Sequence, residues 1–350
     1  MHVVVIGSDV GAVRAALELS RSGGVQQITL ISESDRVQRN AIDIDEHYDG
    51  TKRTPPLQLK GIFADFPGVQ CMQDTVQTIE AARKLIRGNK RTYHYDKMII
   101  SRNTPPSHVQ AQKKLSALME VLTDDHAKGQ HTDTEVIIVG DSVVAVEVAS
   151  AYEYACRRLL VDSKSRVRVS VVTSHSTFLP ELSREGRRHI LSEMKRQHIE
   201  SATNVRIRES GRGTVMINTR KLPESQVISL DENEIDELYS SQPLLFELRA
   251  MRRVMVSPHL EAYTDIYVIG EATGIDGASS PITHLDMADY VVDRIVSFTP
   301  LPYSPPSKLT MVAVGPQWVY LEWFGVYIKG RPAAWAHNIV KRIIRRKVLA

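Results

Sequence analysis

Residues 3–19 read VVVIGSDVGAVRAALEL, and residues 136–152 read VIIVGDSVVAVEVASAY. Each stretch opens with a run of β-branched residues that ends in glycine, the pattern of a strand buried on both faces. Each continues at helical spacing, with Val10, Val13 and Leu17 in the first and Val144, Val148 and Ala151 in the second. A strand that passes through one glycine into a helix is thus written twice in one chain, and an internal repeat of this kind decides the architecture.

In a dinucleotide-binding fold the first glycine of G-x-G-x-x-G makes a tight turn. The second lets backbone approach a pyrophosphate, the third lets helix pack on strand, and the helix N-terminus offers amide donors and a favourable dipole. Here the motif becomes Gly7-x-Asp9-x-x-Ala12 and Gly140-x-Ser142-x-x-Ala145, with Gly11 as a second flexible point in the first loop. Alanine meets the third requirement because the side chain is small, and serine at the second position is a modest change. Aspartate is a larger one: a carboxylate about 4 Å from a phosphate charge costs about 4 kcal/mol at an effective dielectric of 20, unless Asp9 is turned away. The second strand of each unit ends at Ser32 and at Thr173, where an acid for the ribose hydroxyls is usual, and Glu33 follows one residue late. Without an acid in the second unit, NADP is as admissible as NAD.

Composition sets the bounds. The chain has 350 residues, 42% hydrophobic and 24% charged, enough for two domains with ample cores. A formal net charge of +3 is too small to argue for nucleic acid. Cys71 and Cys156 are isolated, with no CxxC or CxxxxC, and no HxxxH or HExxH pair occurs, so no redox disulfide and no metal site is expected. No apolar run approaches the roughly 20 residues needed to span a bilayer. The N-terminus enters a strand almost at once, which leaves no room for a targeting peptide, so the expected location is the cytoplasm or the periphery of a membrane.

The order of segments resembles the FAD- and NAD(P)-dependent pyridine nucleotide oxidoreductases, and most of all type II NADH dehydrogenases and apoptosis-inducing-factor-like NAD(P)H:quinone reductases. Tyr95 to Thr104, YDKMIISRNT, is similar to that family's YDxLIIATGS strand. The run from Ile138 to Ala149 is similar to GGGxxGVELA, Phe178 to Leu182 sits at the family's LP-containing turn, and Asp265 to Ala272, DIYVIGEA, is similar to IFAIGDA. The helix from His284 to Ile295 sits where the family has its flavin-edge and quinone-side helix. Asn103 replaces the glycine of ATG, Glu271 replaces the aspartate of GD, and no second ATG-like strand stands near residues 225–250, where Val227-Ile228-Ser229-Leu230 runs into an acidic stretch.

The resemblance implies an α/β chain of two Rossmann-like domains. An FAD-binding type (1–108 and 251–300) is interrupted by an NAD(P)H-binding type (109–250) and followed by a C-terminal segment (301–350). It implies that Gly7, Asp9, Gly11 and Ala12 lie at the FAD pyrophosphate, with Ser32 or Glu33 at the adenosine ribose. Asn103, Gly270, Glu271 and Ala272 would then lie along the flavin. Gly140, Ser142 and Ala145 would hold NAD or NADP, and Glu147 would sit near the nicotinamide. The implied activity passes hydride from NAD(P)H to flavin and on to a quinone-like acceptor, with no catalytic side chain required, because the chemistry belongs to the cofactor. The departures equally describe a relative whose fold serves as a scaffold or complex subunit with weakened nucleotide sites. His284 reads either as a flavin-edge group or as a satisfied histidine. The basic face of Arg184, Arg187, Arg188, Lys195 and Arg196 reads as solvated surface ahead of a contact for a 2′-phosphate or an acidic partner. All three tryptophans lie in the last 50 residues, and Trp335 to Lys347 is a basic amphipathic helix, suited either to a membrane interface or to docking on the protein's own core.

Overall fold

The computed structural model describes residues 1–37, 57–101, 106–128, 133–160, 166–209, 214–230, 237–248, 253–275, 281–297, 301–305, 309–323 and 325–349. Strand β1 (His2–Ile6) leads into helix α1 (Val10–Arg21) and then β2 (Gln27–Ser32), a one-turn helix α2 (Leu59–Ile62) and β3 (Val69–Gln73). A three-stranded antiparallel sheet follows, β4 (Val76–Glu80), β5 (Leu85–Gly88) and β6 (Thr92–His94), before β7 (Lys97–Ile100). The chain returns much later with β15 (Glu261–Tyr263) and β16 (Ile266–Val268), so one six-stranded sheet runs β15-β16-β7-β1-β2-β3. Only the β15–β16 pairing in it is antiparallel.

The second unit repeats the plan. Helix α3 (Pro106–Ala127) is followed by β8 (Asp133–Val139), α4 (Val143–Leu159), β9 (Arg166–Val172), α5 (Arg184–Arg196) and β10 (Ile199–Ala202). A three-stranded antiparallel sheet is again inserted, β11 (Ile207–Glu209), β12 (Thr214–Ile217) and β13 (Arg220–Pro223), and then β14 (Val227–Ser229) closes a parallel sheet in the order β10-β9-β8-β14. Strand β14 thus takes the place that β7 has in the first unit, although its sequence carries no ATG-like signature. Beyond a one-turn helix α6 (Glu237–Ser240) come α7 (Pro281–Ser297), a three-stranded sheet β17 (Leu309–Ala313), β18 (Val319–Trp323) and β19 (Val326–Gly330), and the terminal helix α8 (Arg331–Leu349).

The repeat extends to individual hydrogen bonds. The Gly7 amide donates to the Ile31 carbonyl and the Gly140 amide to the Val172 carbonyl, both at 2.9 Å. The Ser101 amide donates to the Ile6 carbonyl and the Leu230 amide to the Val139 carbonyl, both at 2.8 Å. In each unit the loop at the end of the central strand is tied to the ends of both neighbours. Alternate residues of β1 feed opposite cores: Val3 and Val5 face α1 and α7, while Val4 and Ile6 face the β4–β6 side, all at most 2% exposed. The apolar run quoted first is therefore a strand with no solvent face.

The C-terminal sheet packs on the second unit, where Val312, Val314 and Tyr320 join the core built by α4 and α5. Helix α8 buries Ala333 and Ala334 beside β18 and lays Ile344 against the core that contains α1. Part of its apolar stripe is therefore spent on the protein itself, as one of the two sequence readings expects.

Gly7 is the residue this scaffold cannot exchange. Its φ is +127°, and a Cβ built on it would lie 1.9 Å from the Ser101 carbonyl oxygen. Gly7→Ala combines left-handed strain with a clash against backbone, and is expected to cost roughly 2–4 kcal/mol. Urea denaturation measures this, and an unchanged midpoint would contradict the role given to the turn.

Candidate nucleotide sites

Asp9 is the N-cap of α1, and its side chain does not face outward. Oδ1 accepts from the Ala12 amide at 2.8 Å and from the Ser101 hydroxyl at 2.7 Å, while Oδ2 lies 3.6 Å from Nδ1 of His284 on α7. The residues that gather here are all buried: Ser8 is 2% exposed, Asp9 3%, Ala12 0%, Ser101 1% and His284 0%. Gly11 is buried as well, and a Cβ on it would lie 2.9 Å from the Ser101 hydroxyl oxygen. The repulsion expected of an outward-facing aspartate does not arise in that form, because the carboxylate is turned into the first turn of its own helix.

Ser32 is buried, and its hydroxyl accepts from the Ser34 amide at 3.1 Å. Thr173 repeats this, accepting from the His175 amide at 3.1 Å. The hydroxyl at the end of the second strand in each unit thus closes its own turn, a backbone-mimicking bond that serine and threonine favour at strand ends. Glu33 is exposed. Asn103 lies outside the described residues. Gly270 adopts φ +82° and ψ −158°, a conformation open to glycine, and leads into a short 3-10 turn, Glu271–Thr273. Arg253 donates to the Glu271 carbonyl at 2.6 Å, and the Ala272 carbonyl accepts from the Val254 amide at 2.7 Å, which fixes the turn from outside.

In the second unit Ser142 caps α4 by accepting from the Ala145 amide at 3.4 Å. The segment after β9 straps this loop at three points. His175 Nδ1 meets the Asp141 carboxylate at 2.6 Å, the Leu179 amide donates to the Asp141 carbonyl at 2.7 Å, and Oε1 of Glu181 accepts from the Val143 amide at 3.0 Å. The glycine motif does not mark Glu181, since only the fold brings it to the start of α4. The Glu147 carboxylate accepts from the Ala313 amide at 2.9 Å and so ties β17 to α4.

Other groups are accounted for. Burial raises the Cys71 thiol to about 11 and the Cys156 thiol to about 12, so both are protonated at neutral pH and poor nucleophiles. On the basic face of α5, Arg188 pairs with Glu185 at 3.0 Å and Arg196 with Glu193 at 2.6 Å, and both arginines are largely exposed. Among the described residues no group of histidine, cysteine and carboxylate side chains is arranged to hold a metal.

Two strand-glycine-helix junctions of matching hydrogen-bond pattern in one chain agree with the family model for pyridine nucleotide-disulphide oxidoreductases, which matches residues 1–281. The chain belongs to this family. It is thereby placed among the FAD/NAD(P) pyridine nucleotide oxidoreductases, whose cofactors are FAD and NAD(P)H. Among solved structures it is similar to the sulfide:quinone oxidoreductase of Aquifex aeolicus, with a TM-score of 0.72, 17% identity, and coverage of 99% of this chain and 91% of that one. A NAD-dependent persulfide reductase from A. fulgidus gives a TM-score of 0.69 at 14% identity, covering 92% of this chain and 63% of that chain. The covalent putidaredoxin reductase–putidaredoxin complex gives 0.65 at 14% identity, covering 99% and 93%. These likenesses establish the fold. A search of curated proteins gives no match.

The family's cofactors can be tested against this geometry. The glycine turns at Gly7 and Gly270 are kept, the first helix starts directly after its loop, and Asp9 faces inward, so the backbone frame fits a pyrophosphate. The fit makes one demand, that the charge on Asp9 be matched from within the protein. At the second loop Glu181 stands on the amide of the first helical residue, exposed and therefore displaceable.

Two outcomes follow. Glu181→Gln is expected to tighten NAD(P)H binding roughly two- to fivefold, the effect of one exposed charge at a helix N-terminus, and calorimetry would measure it. Weaker binding would mean that Glu181 serves the nucleotide and does not compete with it. The folded protein is also expected to resist thiol reagents at pH 8 at Cys156 and to react once unfolded; rapid labelling of that residue in the native state would contradict its burial.

Proposed function

We propose that the chain is an FAD-dependent NAD(P)H oxidoreductase that delivers electrons to a quinone-like acceptor. The observation that carries this reading is the duplicated junction, in which two dinucleotide loops share one hydrogen-bond pattern and are assembled into a single chain of the matching family. When bound, FAD supplies the chemistry, accepting hydride from NAD(P)H and passing electrons onward. The protein's part is to bind and orient. Backbone amides of the Gly7–Ala12 loop would meet the FAD pyrophosphate, with Ser32 and Glu33 toward the adenosine ribose. Gly270, Glu271 and Ala272 would border the ribityl chain, and Gly140, Ser142 and Ala145 would hold the nicotinamide nucleotide. The buried hydroxyl of Thr173 stands where an acid would reject a 2′-phosphate, which supports use of NADPH as well as NADH.

The quinone-like acceptor draws support from the likeness to a sulfide:quinone oxidoreductase over almost the whole of both chains. A membrane-borne acceptor also fits the C-terminal region. There Trp323, Val326 and Ile328 of the last hairpin and Trp335 and Ile343 of α8 are exposed large apolar residues, from 45% to 70% accessible, on a segment rich in lysine and arginine. Among the described residues no helix is long and apolar enough to cross a membrane, so any contact would be peripheral. A second reading, a scaffold or subunit with weakened nucleotide sites, is favoured by the two carboxylates at the loops, Asp9 and Glu181.

Oxidation of NADH and NADPH by the FAD-supplemented protein, followed with a short-chain quinone as acceptor, separates the two readings. Turnover that depends on both FAD and quinone is expected, and no oxidation of either nucleotide would favour the scaffold. For the surface, Trp335→Glu is expected to lower co-sedimentation with anionic liposomes severalfold while leaving thermal stability in place. Equal pelleting of both proteins would remove the membrane proposal.

A further inference from the structure

We propose that His284 and Asp9 act as one unit, in which an imidazolium at His284 cancels the charge of the aspartate and so lets the first loop accept the pyrophosphate of FAD. The inference rests on the FAD reading above.

The side chains come from three separate segments: the loop after β1, the end of β7 and the first turns of α7. Asp9, Ser101 and His284 are each at most 3% exposed. Capping alone does not explain the arrangement, because serine or asparagine caps a helix as well as aspartate does and brings no charge. A buried carboxylate needs compensation. Oδ1 receives two neutral donors, the Ala12 amide and the Ser101 hydroxyl, and Oδ2 faces the His284 imidazole at ion-pair distance, 3.6 Å.

Other charged groups on the two helices have partners of their own. Arg14 on α1 pairs with Asp289 on α7 at 2.6 Å and with Glu18 at 2.9 Å, and Asp286 lies against Tyr303. An ionised Asp9 beside a protonated His284 leaves the pair with no net charge. Without that proton they present a negative charge at the loop where two phosphate groups would arrive. The second unit gives the contrast: Glu181 is exposed, so water and salt screen it, whereas at Asp9 the screening must come from the protein. A histidine opposite the position where the motif has glycine is thus the counterpart of the aspartate that replaced it.

The test is FAD affinity, by titration of the full-length chain followed by quenching of flavin fluorescence, for the wild type, Asp9→Asn, His284→Gln and the double variant. His284→Gln is expected to weaken FAD binding about tenfold or more while Asp9 is present. In the Asp9→Asn background the same change is expected to have little effect, because no charge remains to be cancelled. Equal weakening in both backgrounds would assign His284 a merely structural part and overturn the pairing, as would equal affinity in all four proteins. If His284→Gln does not fold, Asp9→Asn decides alone: asparagine keeps the cap, so binding at least as tight as wild type is expected, and looser binding would overturn the proposal. Binding of FAD by none of the four would overturn the flavin reading together with the pairing.

Discussion

The close approach of Gly7 to the Ser101 carbonyl is the contact on which the first unit depends. With no side chain at Gly7, β1 can end against β7, donate sideways to Ile31 and still turn into α1 within three residues. That turn places Asp9 at the head of the helix and beneath α7, which brings His284 within reach. A milder form of this constraint is met at Gly140, whose Cβ position lies 3.1 Å from the Leu230 carbonyl oxygen. In each unit the inserted antiparallel sheet, the third and fourth parallel strands and the following segments are arranged around a strand that has to stop at a glycine.

The two copies diverge where they would meet their ligands. In the first, a carboxylate is buried and held by an amide, a hydroxyl and an imidazole. In the second, a neutral serine caps the helix and an exposed carboxylate, Glu181, arrives from the segment after β9, which also binds Asp141 through His175 and Leu179. A buried carboxylate is fixed by its partners and acts through charge balance, whereas an exposed one is screened and free to yield.

The two β-branched runs with their glycines made the parallel strands, the two helix starts and the family legible from sequence. The lost ribose acids were legible too, as Ser32 and Thr173. Their bonds to the amides two residues on were not, because a hydroxyl at a strand end reads equally as surface. Val227-Ile228-Ser229 lacked the motif of its counterpart yet occupies the same position, since a strand beside a central parallel strand needs only apolar, β-branched residues and a matching register. The aromatic-rich C-terminal stretch gave no period that marks a hairpin, and it forms β17–β19 because Tyr320 and its neighbours find a core on α4 and α5. Glu147 was drawn to β17 and Glu181 to α4 by contacts across long sequence separations, which no local pattern records. The inward turn of Asp9 has the same origin: its partners Ser101 and His284 lie 92 residues and more along the chain.

The visible absorption spectrum of the purified protein, taken before and after anaerobic addition of NADPH, tests the central claim most directly. Flavin absorbance bands that bleach on addition are the predicted result, since both nucleotides would then be shown on one chain and in electronic contact. A protein that stays colourless after incubation with FAD would contradict the account and leave the duplicated fold as a scaffold.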